Sequence, residues 1–133
     1  MNYAPKPIHD KTFEEISRMI WQHLVDRDWD KPSERSLAIS LSLEANELLE
    51  HYQWAETAIG TRVALAEELA DIFIYALEYA HVLGVNPSTI IQDKLTKINQ
   101  KYPAEHYKGK TEQEHQAVWL QAKVKYRQDK TGL

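Results

Sequence analysis

Two acidic pairs stand out by residue type and spacing in this 133-residue chain, Glu44-x-x-Glu47 and Glu68-x-x-Asp71. Residues three apart share one face of a helix, so each pair points two carboxylates the same way. The first pair lies in "SLEANELLEHYQW", where Glu50 repeats the interval and no Lys or Arg accompanies the acids. If the two helices pack antiparallel, residues whose numbers have a constant sum lie level with each other. Pairing 44 with 71 and 47 with 68 gives one sum, 115, and predicts a turn at residues 57–58. That turn falls inside "AETAIGT", which reads as a connector on its own composition. Four carboxylates are therefore expected at one level of a helical hairpin.

Such a convergence calls for positive charge. From Ser36 to Asp93 the chain has nine acidic residues and a single basic one, Arg62. Crowded carboxylates either raise a pKa or recruit a cation, and burying an unpaired charge is costly. An all-oxygen set of Glu and Asp suits a hard divalent ion, Mg²⁺ with Mn²⁺ as a substitute. A lone acidic pair is ordinarily a solvated helix face. Two level pairs with almost no cation nearby favour a metal as the partner.

The same stripes continue through His51 and Trp54 on one helix and through Tyr75 and Glu78 on the other. Trp54 and Tyr75 either offer flat faces on which a nucleobase stacks or pack in a core or interface with a hydrogen-bonded polar tip.

The elements that must position these residues are all helical. Thr12 and Glu15 form a capping-box pattern, and Phe13, Ile16, Ile20 and Leu24 follow at helical spacing, predicting a first helix over 12–27. Pro32 closes the loop "RDWDKPSER", and a second helix is predicted from near Ser33 or Ser36 to about Trp54. A third, from Arg62 to Leu83, opens on Thr61 as N-cap and ends at Gly84. It is apolar almost all round, which places it at the centre of a bundle. Asn86-Pro87 starts a fourth helix that ends at "KYP". Thr111 and Glu114 repeat the capping box and open a fifth, over 112–128. The reading is an all-α bundle of four to five helices in one domain, with its core over 12–103.

Composition sets the outer bounds. A hydrophobic content of 43% and a net charge of −4 describe a soluble globular protein with no general affinity for a nucleic-acid polymer. The apolar run Leu65–Leu83 is interrupted by Glu67, Glu68, Asp71 and Glu78, so no membrane span is expected. Without cysteine there is no disulfide and no thiolate metal site. The opening "MNYAPKPIHD" has no signal-peptide pattern, and a cytoplasmic location is the expectation.

"SLEANELLEHYQW" followed by "LAEELADIFIY" resembles the all-α nucleoside triphosphate pyrophosphohydrolases, the MazG-like and dCTP-pyrophosphatase-like superfamily. The likeness extends from "RDW" upstream to "DKLTKINQKYP" downstream, roughly Arg27 to Pro103. It implies that Glu44, Glu47, Glu68 and Asp71 ligate Mg²⁺, and that Glu47, or alternatively Glu44, orients the attacking water. It places Trp29, Trp54 and Tyr75 at the base, and Lys94, Lys101 and Tyr102 at the phosphates or at closure of the site. Where the family often has a second acid just before its first ligand, this chain has Leu43. The implied reaction converts a (d)NTP, a pyrimidine or non-standard nucleotide, to its monophosphate and pyrophosphate. A homodimer or homotetramer is expected, because a hairpin of this size exposes much apolar surface.

Two other readings fit parts of the chain. A di-iron carboxylate bundle would use Glu78-x-x-His81 and Glu112-x-x-His115, although the second pair sits in the first turn of its helix. An inactive dimerisation or adaptor module would tolerate loss of the acidic pairs, and all four acids are intact.

Overall fold

Helix-capping chemistry written in the sequence sets most boundaries of the computed structural model, which describes residues 11–131. Five α-helices follow in order: α1 Phe13–Val25, α2 Glu34–Glu50, α3 Arg62–Val82, α4 Pro87–Lys101 and α5 Glu112–Thr131. A single 3₁₀ turn, Ala104–His106, separates the last two. There is no strand among the described residues, and the all-α reading holds.

At the start of α1 the Thr12 hydroxyl accepts from the Glu15 amide (3.2 Å), and the Glu15 carboxylate accepts from the Thr12 amide (2.6 Å). Two otherwise orphaned donors are thereby satisfied reciprocally. Thr111 and Glu114 repeat the arrangement at α5. Ser33 caps α2 and Thr61 caps α3, each hydroxyl accepting an amide from three residues on at 3.1 Å. Gly84, at φ 68°, follows the C-cap of α3 in the left-handed conformation that glycine adopts without strain.

The described residues divide into two compact units after Ser88, two residues into α4. In the first unit α3 packs against both α2 and α1, which gives it the central position expected from its all-round apolar character. The buried apolar side chains are Leu24 of α1, Leu37 of α2, and Leu77 and Ala80 of α3. Burying each leucine contributes roughly 1.5–3 kcal/mol. Trp21 of α1 stacks on the His81 ring of α3, with centroids 3.6 Å apart. Glu14 accepts a hydrogen bond from Ser88, and this bond holds its carboxyl below the ordinary range. These contacts tie α1 to the C-terminal part of α3 and to the first turn of α4.

The second unit contains the remainder of α4, the 3₁₀ turn and α5. Lys101 lays its ammonium over the Tyr126 ring, 4.1 Å from the centroid, and Lys130 approaches the same ring at 5.0 Å. His115 is tied to the Tyr107 carbonyl at 2.6 Å.

Candidate metal centre

Among the described residues, α2 packs on α3 more extensively than any other pair of helices does, and this packing brings the carboxylates together. Glu44 on α2 and Glu68 and Asp71 on α3 each offer a ligand atom, all within 4.8 Å of one another. This is the only grouping of three or more metal-capable side chains among the described residues. Pairing 44 with 71 across an antiparallel hairpin is the register that the constant sum predicts. Glu44 and Glu68 are half-buried and Asp71 is exposed, so the centre opens to solvent on one side.

The electrostatics of the trio follow from this placement. Desolvation pushes the Glu44 carboxyl above its ordinary range, and the like charges of Glu47, Asp71 and Glu68 push it further. A divalent cation among the three would reverse the sign of that local field. The donor set is all carboxylate oxygen, with no thiolate or imidazole among the three, which fits Mg²⁺ or Mn²⁺.

Glu47 does not join the trio. One turn further along α2, it is exposed and faces a recess of about 400 Å³ that it shares with Glu50, His51, Trp54, Ile59 and Glu68. It is close enough for its charge to raise the Glu44 pKa.

The aromatic positions fall on three different elements. Helix α2 ends at Glu50, with His51 as C-cap, so Trp54 lies in the following turn and not on the helical stripe. Its indole is 82% exposed at the edge of the recess. Tyr75 is half-buried one turn beyond Asp71 on α3. Trp29 follows α1 in a turn closed by its amide, which donates to the Leu24 carbonyl (2.9 Å), and by Asp28 at φ 56°. The Arg27 guanidinium lies over its ring at 5.9 Å.

Lys94, Lys101 and Tyr102 belong to the second unit. Lys101 lines a recess of about 480 Å³ with Lys97, His106, Lys125 and Tyr126. The Tyr126 hydroxyl is held below its ordinary range, first by a hydrogen bond and charge from Lys130, then by the charges of Lys94 and Lys101. Tyr102 meets Tyr107 edge-on at 6.2 Å.

The histidines a di-iron centre would need are engaged elsewhere, His81 on the Trp21 ring and His115 at the Tyr107 carbonyl. The feature that spacing did not reveal is His51. Its Nε2 stands 3.7 Å from Glu68 Oε1, a contact between the C-cap of one helix and the face of the next.

Comparison with known proteins agrees with this architecture. The chain is 31% identical over 116 residues to mouse dCTP pyrophosphatase 1, covering 80% of this chain and 66% of that protein. The human protein of the same name is 30% identical over 112 residues, covering 77% and 64% respectively. The chain thus spans just under two thirds of the length of these curated relatives. A crystal structure of a pyrophosphatase from Archaeoglobus fulgidus superposes with a TM-score of 0.63 at 31% identity, covering 74% of this chain and 99% of that one. The family model described as MazG-like matches residues 39–116, a segment that includes all four acids of the two pairs. The chain belongs to the MazG-like family.

Proposed function

We propose that this protein is a divalent-metal-dependent nucleoside triphosphate pyrophosphohydrolase. The observation that carries the reading is the convergence of Glu44, Glu68 and Asp71, with ligand atoms within 4.8 Å, in a MazG-like chain. These three would hold the cation, Mg²⁺ with Mn²⁺ as a substitute. When bound, the cation supplies charge neutralisation at the phosphate oxygens and activation of water.

The remaining roles fall to the chain's own residues. Glu47, exposed beside the trio, orients a water molecule toward the α-phosphorus and accepts its proton. The water oxygen bonds to that phosphorus as the bond to the α,β-bridging oxygen breaks. Pyrophosphate leaves with the electron pair, and the nucleoside monophosphate remains. Trp54, exposed at the rim of the recess, offers a stacking face for the base, with Tyr75 and Trp29 as further contacts. Lys94, Lys101 and Tyr102 are proposed for the phosphate contacts on the resemblance to the family alone.

The substrate class we infer is a (deoxy)pyrimidine or non-standard nucleoside triphosphate, a reading supported by the dCTP pyrophosphatases among the relatives. We also infer a homodimer or homotetramer. Leu43 on α2 is 55% exposed and Phe73 on α3 is 53% exposed, alongside Leu69 and Ile39. Helices of a stable fold ordinarily cover such faces, and a second copy is the economical cover. No helix among the described residues is long and apolar enough to cross a membrane.

The test is pyrophosphate release from a panel of canonical and modified triphosphates, with Mg²⁺ and with excess chelator. Mg²⁺-dependent pyrophosphate from one subset supports the reaction and names the substrate class. No release from any member, although Mg²⁺ binds, would refute the hydrolase reading.

A further inference from the structure

His51 occupies a position that neither the metal site nor the fold requires of a histidine. It caps the C-terminus of α2, and its carbonyl accepts the Ile59 amide at 2.9 Å. That bond folds the connector back, so that Gly60 lies against the imidazole. A Cβ at Gly60 would fall 2.1 Å from His51 Nδ1 and 2.4 Å from Cε1. Real Cβ atoms essentially never come so close, so a side chain at position 60 and the present ring position exclude each other. Gly60 does not have the positive φ of Gly84 and Gly109. Alanine is therefore conformationally acceptable there, and the need for glycine is one of space alone.

At its other nitrogen the ring presents Nε2 to Glu68, 3.7 Å from Oε1, with both side chains about four-fifths shielded from solvent. A carboxylate that ligates a cation through one oxygen is held in orientation by groups that engage the rest of it, and such partners commonly matter about 10–100-fold for metal affinity. At 3.7 Å the contact is longer than a hydrogen bond, so the imidazole acts on the carboxylate as a close polar neighbour that occupies the space beside it.

We propose that His51 is a positioning residue. Wedged between Gly60 and Glu68, it fixes the Glu68 carboxylate in the orientation that groups it with Glu44 and Asp71, and Gly60 keeps the space the ring needs. The proposal rests on the reading of that trio as a divalent-cation site.

Mn²⁺ titration calorimetry of the full chain tests it, with His51→Leu, His51→Gln, Gly60→Ala and the His51→Leu/Gly60→Ala double variant. Removing the ring, or displacing it with a methyl group, should weaken Mn²⁺ binding about 10–100-fold in either single variant. Gln, which keeps a polar neighbour beside the carboxylate, should restore wild-type affinity. The double variant should bind no more weakly than His51→Leu alone, because the methyl group then has no ring to displace. Circular dichroism identifies any variant that fails to fold; if His51→Leu does, Gly60→Ala against His51→Gln carries the comparison. Wild-type affinity in a folded His51→Leu or Gly60→Ala variant overturns the positioning role and leaves the cation site intact. A full additional loss in the double variant overturns the spatial link between Gly60 and His51. A wild-type protein that binds no Mn²⁺ removes the cation site itself, and the role of His51 with it.

Discussion

Glu44 of α2 and Asp71 of α3 bring carboxylate oxygens within 4.8 Å of each other across the hairpin, with Glu68 completing the group. Two like charges at that separation repel each other, and solvent on the open side screens part of the repulsion. The fold holds them there through the packing of α2 on α3 and through caps at Ser33 and Thr61 that fix where each helix begins. The first consequence concerns division of labour among the acids. Asp71→Asn and Glu44→Gln should each lose Mn²⁺ binding and turnover together while helicity persists. Glu47→Gln should lower kcat by about 10²–10⁴-fold with cation binding retained. Calorimetry beside steady-state kinetics checks the split; loss of cation binding in Glu47→Gln would move that residue into the ligand set.

Trp54 separates substrate contact from stability. With its indole 82% exposed, Trp54→Ala should change stability by no more than about 0.5 kcal/mol. If the ring stacks on the base, KM should rise about 5–150-fold, the equivalent of ~1–3 kcal/mol of stacking. Thermal melts and KM for the preferred triphosphate test both halves, and an unchanged KM would remove Trp54 from the base site.

Glu78 predicts a pH dependence of stability. It is 6% exposed, and burial alone raises its carboxyl above the ordinary range. A carboxyl with a raised folded-state pKa binds more protons folded than unfolded, so stability falls as pH rises through the ordinary and then the raised value. Glu78→Gln, neutral throughout, should escape that loss. Its unfolding free energy should exceed that of wild type at neutral pH by an amount on the order of 1 kcal/mol. The gain should shrink to nothing below about pH 4. A gain that persisted in acid would indicate a packing effect of the amide and not removal of charge.

The exposed faces of α2 and α3 predict self-association. Light scattering should give a mass at least twice the 15.5 kDa of the chain, and Phe73→Asp should shift it toward the monomer. A monomeric wild type would leave those faces for another partner.

Most of the fold was legible because caps act locally. Thr12, Thr61 and Thr111 each bond an amide three residues on, and Gly84 adopts the left-handed conformation its residue type favours. The hairpin register was legible because helix geometry makes the sum of residue numbers a measure of level. The end of α2 was not. "HYQW" continues the apolar and aromatic pattern, but the chain turns at His51 with no glycine or proline to mark it. That early ending takes Trp54 off the stripe. It also sets His51 against Gly60 and Glu68, a three-body contact that no spacing rule encodes. The separation of Glu47 from the trio was likewise hidden, because i, i+3 spacing gives a shared face but not side-chain reach.

The most direct test of the central claim is turnover of the preferred triphosphate in oxygen-18 water with Mg²⁺, followed by mass spectrometry of both products. Attack at the α-phosphorus predicts one labelled oxygen in the nucleoside monophosphate and none in the pyrophosphate. Label in the pyrophosphate, or release of orthophosphate and a nucleoside diphosphate, would contradict the account.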